Sequence, residues 1–175
     1  MPSPKQTAEQ VQTLSYSTMD SPVGQLRIVA SDAGLRAILW PREREGRVTF
    51  AEEVAECEHP VISSTIQQLD EYMSGARNNF LLPLDPVGTD FQQSVWQALL
   101  EIPYGQTQSY GQLADVLGKP GSARAVGSAT GRNPISIVVP CHRLIASSGK
   151  LTGFAGGIDA KRWLLDHERS EQRLL

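Results

Sequence analysis

Polar and apolar residues trade places every one or two positions between residues 14 and 40, and two turn sequences cut this stretch into three pieces. Residues 14–19, 25–30 and 35–40 read as strands. The middle one, Gln25-Leu26-Arg27-Ile28-Val29-Ala30, alternates as a half-buried strand does. Asp20-Ser21-Pro22-Val23-Gly24 and Ser31-Asp32-Ala33-Gly34 are the turns, so the pieces form an antiparallel meander. The charged run 42–47 reads as a loop. The period then lengthens: Ile62, Ile66, Leu69, Tyr72 and Met73 recur at helical spacing, and Ser74-Gly75 ends that helix. Residues 81–84 read as one more strand, and Pro83, Pro86 and Gly88 mark a linker. The chain therefore divides into a loose tail over 1–12, an α/β N-terminal domain with an antiparallel sheet over 13–86, and a mostly helical C-terminal domain over 87–175.

The second half opens with two capping boxes, Thr89 with Gln92 and Ser109 with Gln112. The first starts a helix whose apolar face carries Phe91, Val95, Trp96, Leu99 and Leu100; the second starts a short helix through Leu113, Ala114 and Leu117. Lys119-Pro120-Gly121 turns the chain, and Ser122 is placed to cap a third helix through Ala123, Arg124, Ala125, Val126 and Ala129. Two short helices across a tight turn are a helix-turn-helix pattern, and an ordinary αα-hairpin gives the same signal. Next, Ile135-Ser136-Ile137-Val138-Val139 is β-branched and almost wholly apolar, which predicts a buried strand ending at Pro140. A glycine-rich loop (Gly149, Gly153, Gly156, Gly157) precedes a last helix, with Asp159 expected at its N-cap.

The chain has 175 residues, 40% hydrophobic and 20% charged, with no apolar run near the roughly 18–20 residues of a membrane helix. Its first dozen residues are polar and lack a signal peptide's apolar core, so a reducing, cytoplasmic location and free thiols are expected. The formal net charge of −3 is unevenly spread. Within 118–162 Lys119, Arg124, Arg132, Arg143, Lys150, Lys161 and Arg162 face only Asp159, which suggests a basic surface for an anion; chance clustering on a solvated face is the plain alternative.

The two cysteines are Cys57 and Cys141. Cys57 sits among Glu52, Glu53, Glu56 and Glu58, which oppose thiolate formation, and it is given no role. Cys141 follows a strand and a proline, at a strand end where reactive groups gather, and His142 and Arg143 supply the base and the cation a nucleophilic thiol needs. Neighbours on a strand point apart, so a bridging water is the route for His142 to take the proton. A structural cysteine, a Cys-His hydrolase and a pure DNA-binding module are the competing readings.

The segment Asn133-Pro134-Ile135-Ser136-Ile137-Val138-Val139-Pro140-Cys141-His142-Arg143 resembles the active-site signature of the O6-alkylguanine-DNA alkyltransferases. Phe91-Gln92-Gln93-Ser94-Val95-Trp96, Ile102-Pro103-Tyr104-Gly105, Ser109-Tyr110-Gly111-Gln112-Leu113-Ala114 and Ala123-Arg124-Ala125-Val126-Gly127 follow the family order, as do Gly156-Gly157 through Trp163-Leu164-Leu165. The first half matches more loosely, through Asp20 to Gly24, which is similar to bacterial members. The resemblance implies a single-turnover transferase that flips an alkylated guanine out of double-stranded DNA and moves the alkyl group to its own cysteine. It implies O4-alkylthymine as a second substrate. A lesion-binding module without transfer is the alternative.

By the same resemblance Cys141 is the acceptor, His142 the base through water, and Glu168 the group that orients His142. Asn133 braces the turn before the active-site segment. Tyr110 bonds the flipped base and helps protonate it. Arg124 enters the base stack, and Ser122, Ala123 and Gly127 lie against DNA. Phe154, Ala155, Gly156 and Leu144 form the substrate pocket, with Phe154 where many members have Tyr. No cofactor is implied. Some members hold zinc in the N-terminal domain; Cys57 and His59 are too few for a four-ligand site, so no metal is expected. A monomer in solution is expected, with cooperativity on DNA left open.

Overall fold

A four-stranded sheet forms first in the chain. The structure, a computed structural model, describes residues 12–172, so the tail expected over 1–12 lies, save for Gln12, outside the described residues. Strands β1 (Thr13–Met19), β2 (Leu26–Ser31) and β3 (Gly34–Leu39) make the expected antiparallel meander. The sheet order is β3-β2-β1-β4, because β4 (Glu53–Glu56) pairs parallel to β1 at the edge. The acidic stretch before Cys57 hid this strand: Glu53, Ala55 and Glu56 are all exposed at a charged edge and only Val54 is half-buried, so period-two burial is not visible.

The strand β2 is more buried than its alternation suggested. Leu26, Ile28 and Ala30 face the main core, while Val29 faces a second cluster with Leu14 and Ala37 under Val48, Phe50 and Val54. Both faces are covered, and only Arg27 is exposed on this strand. Residues 81–84 form no continuous strand; Leu84 alone makes a parallel bridge to Leu35.

Helix α1 (Pro60–Met73) lies on the sheet and buries Ile62, Thr65, Leu69 and Tyr72. Pro60 stands in its first turn, where a missing N–H costs nothing. Helix α2 (Asp90–Leu100) and helix α3 (Tyr110–Val116) both begin with complete capping boxes. Helix α4 (Ala123–Gly131) follows a turn in which Gly118 and Gly121 take φ of +69° and +81°. Ser122 occupies the N-cap position of α4 but makes no side-chain cap bond, because its backbone (φ −95°, ψ 24°) is not extended and does not aim the hydroxyl at the helix N–H groups. The indole N–H of Trp96 donates to the Ala129 carbonyl at 2.9 Å and ties α2 to α4. Helix α5 (Ile158–Gln172) begins one residue before Asp159, so this side chain lies in the first turn rather than at the cap. Its charge there complements the helix dipole.

The apolar segment 135–139 corrects a clear expectation. It is buried, but it is a tight turn held by isolated bridges, Ile38 to Ile135 and Ser136 to Val139. Ile137 takes φ +74°, the one described non-glycine residue in the left-handed region. A short two-stranded pair, β5 (Gln108–Ser109) with β6 (Leu144–Ile145), frames its exit. One apolar core runs from Ile28 and Ile38 through Tyr72 and Leu99 to Val139 and Leu164, joining residues of both halves. No helix among the described residues is long and apolar enough to cross a membrane.

Candidate active site

Asn133 builds the turn that presents the cysteine. Its side-chain amide donates to the Val139 carbonyl at 2.9 Å, and its side-chain oxygen accepts from the Ile135 N–H at 3.0 Å. These two bonds take the place of strand pairing and fold 135–139 back on itself. The chain then leaves through Pro140 into a 3₁₀ turn, Cys141–Arg143. Cys141 therefore sits on a helical turn beyond a loop, not at the end of a strand.

Cys141 is 6% exposed and lines a small pocket with Tyr110, Asn133, Ser136 and Phe154. Burial pushes its thiol pKa up; a hydrogen bond from Asn133 and the positive charges of Lys161 and Arg47 pull it down without offsetting burial. Burial therefore favours the thiol over the thiolate at this position.

His142 is fully buried beside it. Its Nε2 lies 2.7 Å from Glu168 Oε1 on α5. Its Nδ1 is buried and has no hydrogen-bond partner among the described residues. Burial holds the imidazole pKa below its ordinary value even though Glu168 favours the charged form. The carboxylate keeps its charge at full burial because four donors converge on it: His142 Nε2, the Arg143 guanidinium (Nε to Oε2 at 3.0 Å), the Tyr72 hydroxyl at 2.8 Å and the Gly105 N–H at 3.2 Å. Burial opposes its ionisation, but His142 and Arg143 outweigh this and hold it well below the usual carboxylate range.

Arg143 departs from its expected part. It gives Nη1 to the Ile102 carbonyl at 2.6 Å and its other donors to Glu168, so it serves the carboxylate and not the thiol. Lys161 also leaves the expected basic surface: it is 1% exposed, and its ammonium donates to the carbonyls of Leu144 (2.5 Å) and Thr152 (3.1 Å). Burial lowers the Lys161 pKa. Of the seven cations in 118–162, Lys119, Arg124, Arg132, Lys150 and Arg162 are exposed.

The other expected residues are distributed as follows. Tyr110, at the start of α3, has its hydroxyl 3.2 Å from Thr152 Oγ1. Gly127 on α4 lies against the Tyr110 ring: a Cβ there would meet the ring at 3.6 Å. Gly127, Phe154 and Ala155 line the same pocket as Cys141. Gly156 lies just outside it, so close to Trp40 that a Cβ would come within 2.6 Å of the indole. Leu144 is fully buried behind the pocket and is not among its lining residues. Arg124 is exposed on α4, and Ser122 and Ala123 at its start are half-buried.

Two residues of the N-terminal half join the site unannounced, Arg47 as part of the pocket lining and Trp40 through two of the lining residues. Arg47 donates Nη1 to the Asn133 carbonyl at 2.7 Å and is anchored by Glu43. Trp40 donates its indole N–H to Ser136 Oγ at 3.0 Å and meets Phe154 edge to face. Neither had a signal in the sequence beyond lying in or beside a charged loop. Among the described residues no group of three or more His, Cys, Asp or Glu side chains is placed to hold a metal ion.

A single buried cysteine beside a carboxylate-anchored histidine, in a pocket lined by residues of two paired short helices, defines a protein built around one enclosed thiol. Residues 14–86 match the model of the 6-O-methylguanine DNA methyltransferase, ribonuclease-like domain, and residues 90–170 that of the 6-O-methylguanine DNA methyltransferase, DNA binding domain. The chain is 47% identical over 159 residues to the methylated-DNA–protein-cysteine methyltransferase of Mycobacterium tuberculosis, covering 90% of this chain and 93% of that one. It is 42% identical over 158 residues to the constitutive methylated-DNA–protein-cysteine methyltransferase of Bacillus subtilis, covering 88% and 94%. It superposes on the crystal structure of Mycobacterium tuberculosis OGT in complex with DNA with a TM-score of 0.79 at 45% identity, covering 91% and 94%. The chain belongs to the 6-O-methylguanine DNA methyltransferase family.

Proposed function

We infer that this protein repairs double-stranded DNA by transferring an alkyl group from O6 of guanine to its own Cys141, once per molecule. The observation that carries the reading is His142, next to Cys141 in the chain: one ring nitrogen is committed to Glu168, and the other is buried with no hydrogen-bond partner among the described residues. That arrangement supports a base that takes the thiol proton through a water molecule.

The chemistry balances with the chain's own groups. The Cys141 S–H proton passes through water to His142 Nδ1, and Sγ attacks the alkyl carbon. The carbon–sulfur bond forms as the carbon–O6 bond breaks. The electron pair goes to the guanine, which Tyr110 protonates. His142 gives its proton up to solvent and Tyr110 takes one from solvent, so the sum is alkylguanine plus thiol giving guanine plus thioether. The product sulfur is a poor leaving group from an unactivated carbon, and no water-driven step restores the thiol. O4-alkylthymine presents the same alkyl–oxygen bond and is proposed as a second substrate.

A base inside a duplex reaches this pocket only when flipped out. Arg124, exposed on α4, is proposed to fill the space it leaves, with Ser122, Ala123 and Gly127 letting the helix start lie close to the backbone. Residues 87–175 are proposed as the DNA-binding and transfer part, and 13–86 as its support. We propose a monomer acting in the cytoplasm. Incubation with excess duplex carrying radiolabelled O6-methylguanine tests the reading: label in the protein should stop at one methyl group per chain. Continued turnover, or no label in a folded protein that binds the duplex, would contradict it.

A further inference from the structure

Tyr72 stands on α1, in the N-terminal half, and is fully buried. Its hydroxyl donates to Glu168 Oε1 at 2.8 Å, the same oxygen that lies 2.7 Å from His142 Nε2. The ring is held independently of that bond. It meets Tyr104 and His167 edge to face at 6.1 and 5.3 Å, and its backbone carbonyl accepts from His167 Nε2 at 2.6 Å. A phenylalanine would fill the same space, so packing does not require the hydroxyl.

The hydroxyl instead acts on charge. Each donor to Oε1 draws density from that oxygen and weakens its hold on a protonated imidazole. Arg143 contributes Nη2 to the same oxygen from the 3₁₀ turn, while the Gly105 N–H takes Oε2 from the loop after α2. Tyr104 acts on Tyr72 from that loop, Glu171 acts on Tyr104 from α5, and Lys161 acts on His142 from α5. Against a buried base, one neutral donor is the finest of these adjustments.

We propose that Tyr72 is a positioning residue for the transfer reaction: its hydroxyl, supplied by the N-terminal half to the oxygen that binds His142, sets the orientation and basicity of that imidazole. This rests on the reading of Cys141 as acceptor and His142 as base. It gives the N-terminal half a direct part in the chemistry, through a single hydrogen bond across the core.

The test is the single-turnover rate of methyl transfer from an O6-methylguanine duplex, followed across pH. Wild type is compared with Tyr72→Phe and with protein carrying 3-fluorotyrosine at position 72 only. Loss of the donor strengthens the carboxylate's hold, so Tyr72→Phe moves the acidic limb up by about half to one pH unit, up to about tenfold in rate on that limb. The fluorinated phenol is a stronger donor and moves the limb the other way. A merely structural role would scale the rate at every pH without moving the limb. Superimposed limbs, or limbs displaced in the same direction, overturn the proposal. If Tyr72→Phe does not fold, the fluorotyrosine protein, which differs by one atom, decides alone. A folded wild type that binds the duplex and transfers nothing would overturn the acceptor reading and this proposal with it.

Discussion

His142 turns Nε2 to Glu168 at 2.7 Å and thereby leaves Nδ1 as its accepting atom, buried and unbonded to protein among the described residues. The carboxylate fixes the tautomer: with the proton on Nε2, the lone pair sits on Nδ1. Glu168 is itself fixed by donors from α1, the 103–105 loop and the 3₁₀ turn, so the imidazole is oriented by three separate parts of the chain.

That burial makes stability depend on pH in a defined direction. The Glu168 pKa is depressed in the folded state, so its contribution is present above the unfolded carboxylate value and is lost as pH falls through the folded one. Glu168→Gln strands the Arg143 charge and should cost about 3–5 kcal/mol near pH 7. The difference between wild type and variant should shrink below about pH 4, where the unfolded glutamate takes up its proton. Urea unfolding of both proteins from neutral to acid pH checks this; a difference that is constant or grows in acid contradicts it.

Gly156 and Gly153 share a loop but not a constraint. A Cβ at Gly156 would come within 2.6 Å of the Trp40 indole, whereas one at Gly153 would meet nothing within 4 Å. Gly156→Ala should therefore displace Trp40 or the loop and destabilise the fold by about 1–3 kcal/mol, as overpacking does. Gly153→Ala should leave the melting temperature close to wild type. Thermal melts followed by tryptophan fluorescence distinguish them, and equal melting temperatures would rule out the clash.

Arg124→Ala should separate binding from chemistry. Transfer from a duplex should slow about tenfold or more, since a flipped base needs the space it leaves filled, while transfer from a free alkylated guanine should be unchanged. Equal losses on both substrates would contradict the role given to Arg124.

Legibility in the sequence followed the range of the interactions involved. The boxes at Thr89 and Ser109 are local, and α2 and α3 start where they predict. The three meander strands are set by nearest-neighbour turns and also came through. Segment 135–139 did not, because its β-branched composition says strand while the Asn133 side chain supplies the bonds that make it a turn. Lys161, Arg47 and Arg143 were hidden for another reason. A charge in a sequence defaults to solvent, and only the fold shows carbonyls or a carboxylate waiting for it. The motif singled out Cys141 and His142, which the fold does place together in a buried cluster, whereas Tyr72 reaches the same cluster through a contact 96 residues away from Glu168.

Transfer to Cys141 is decided by an intact and peptide mass spectrum after one incubation with a duplex containing a single O6-methylguanine. A gain of one methylene is expected on the peptide holding Cys141, none on the peptide holding Cys57, and unmodified guanine in the DNA. Methylation elsewhere, or an unmodified protein bound to unrepaired duplex, would contradict it.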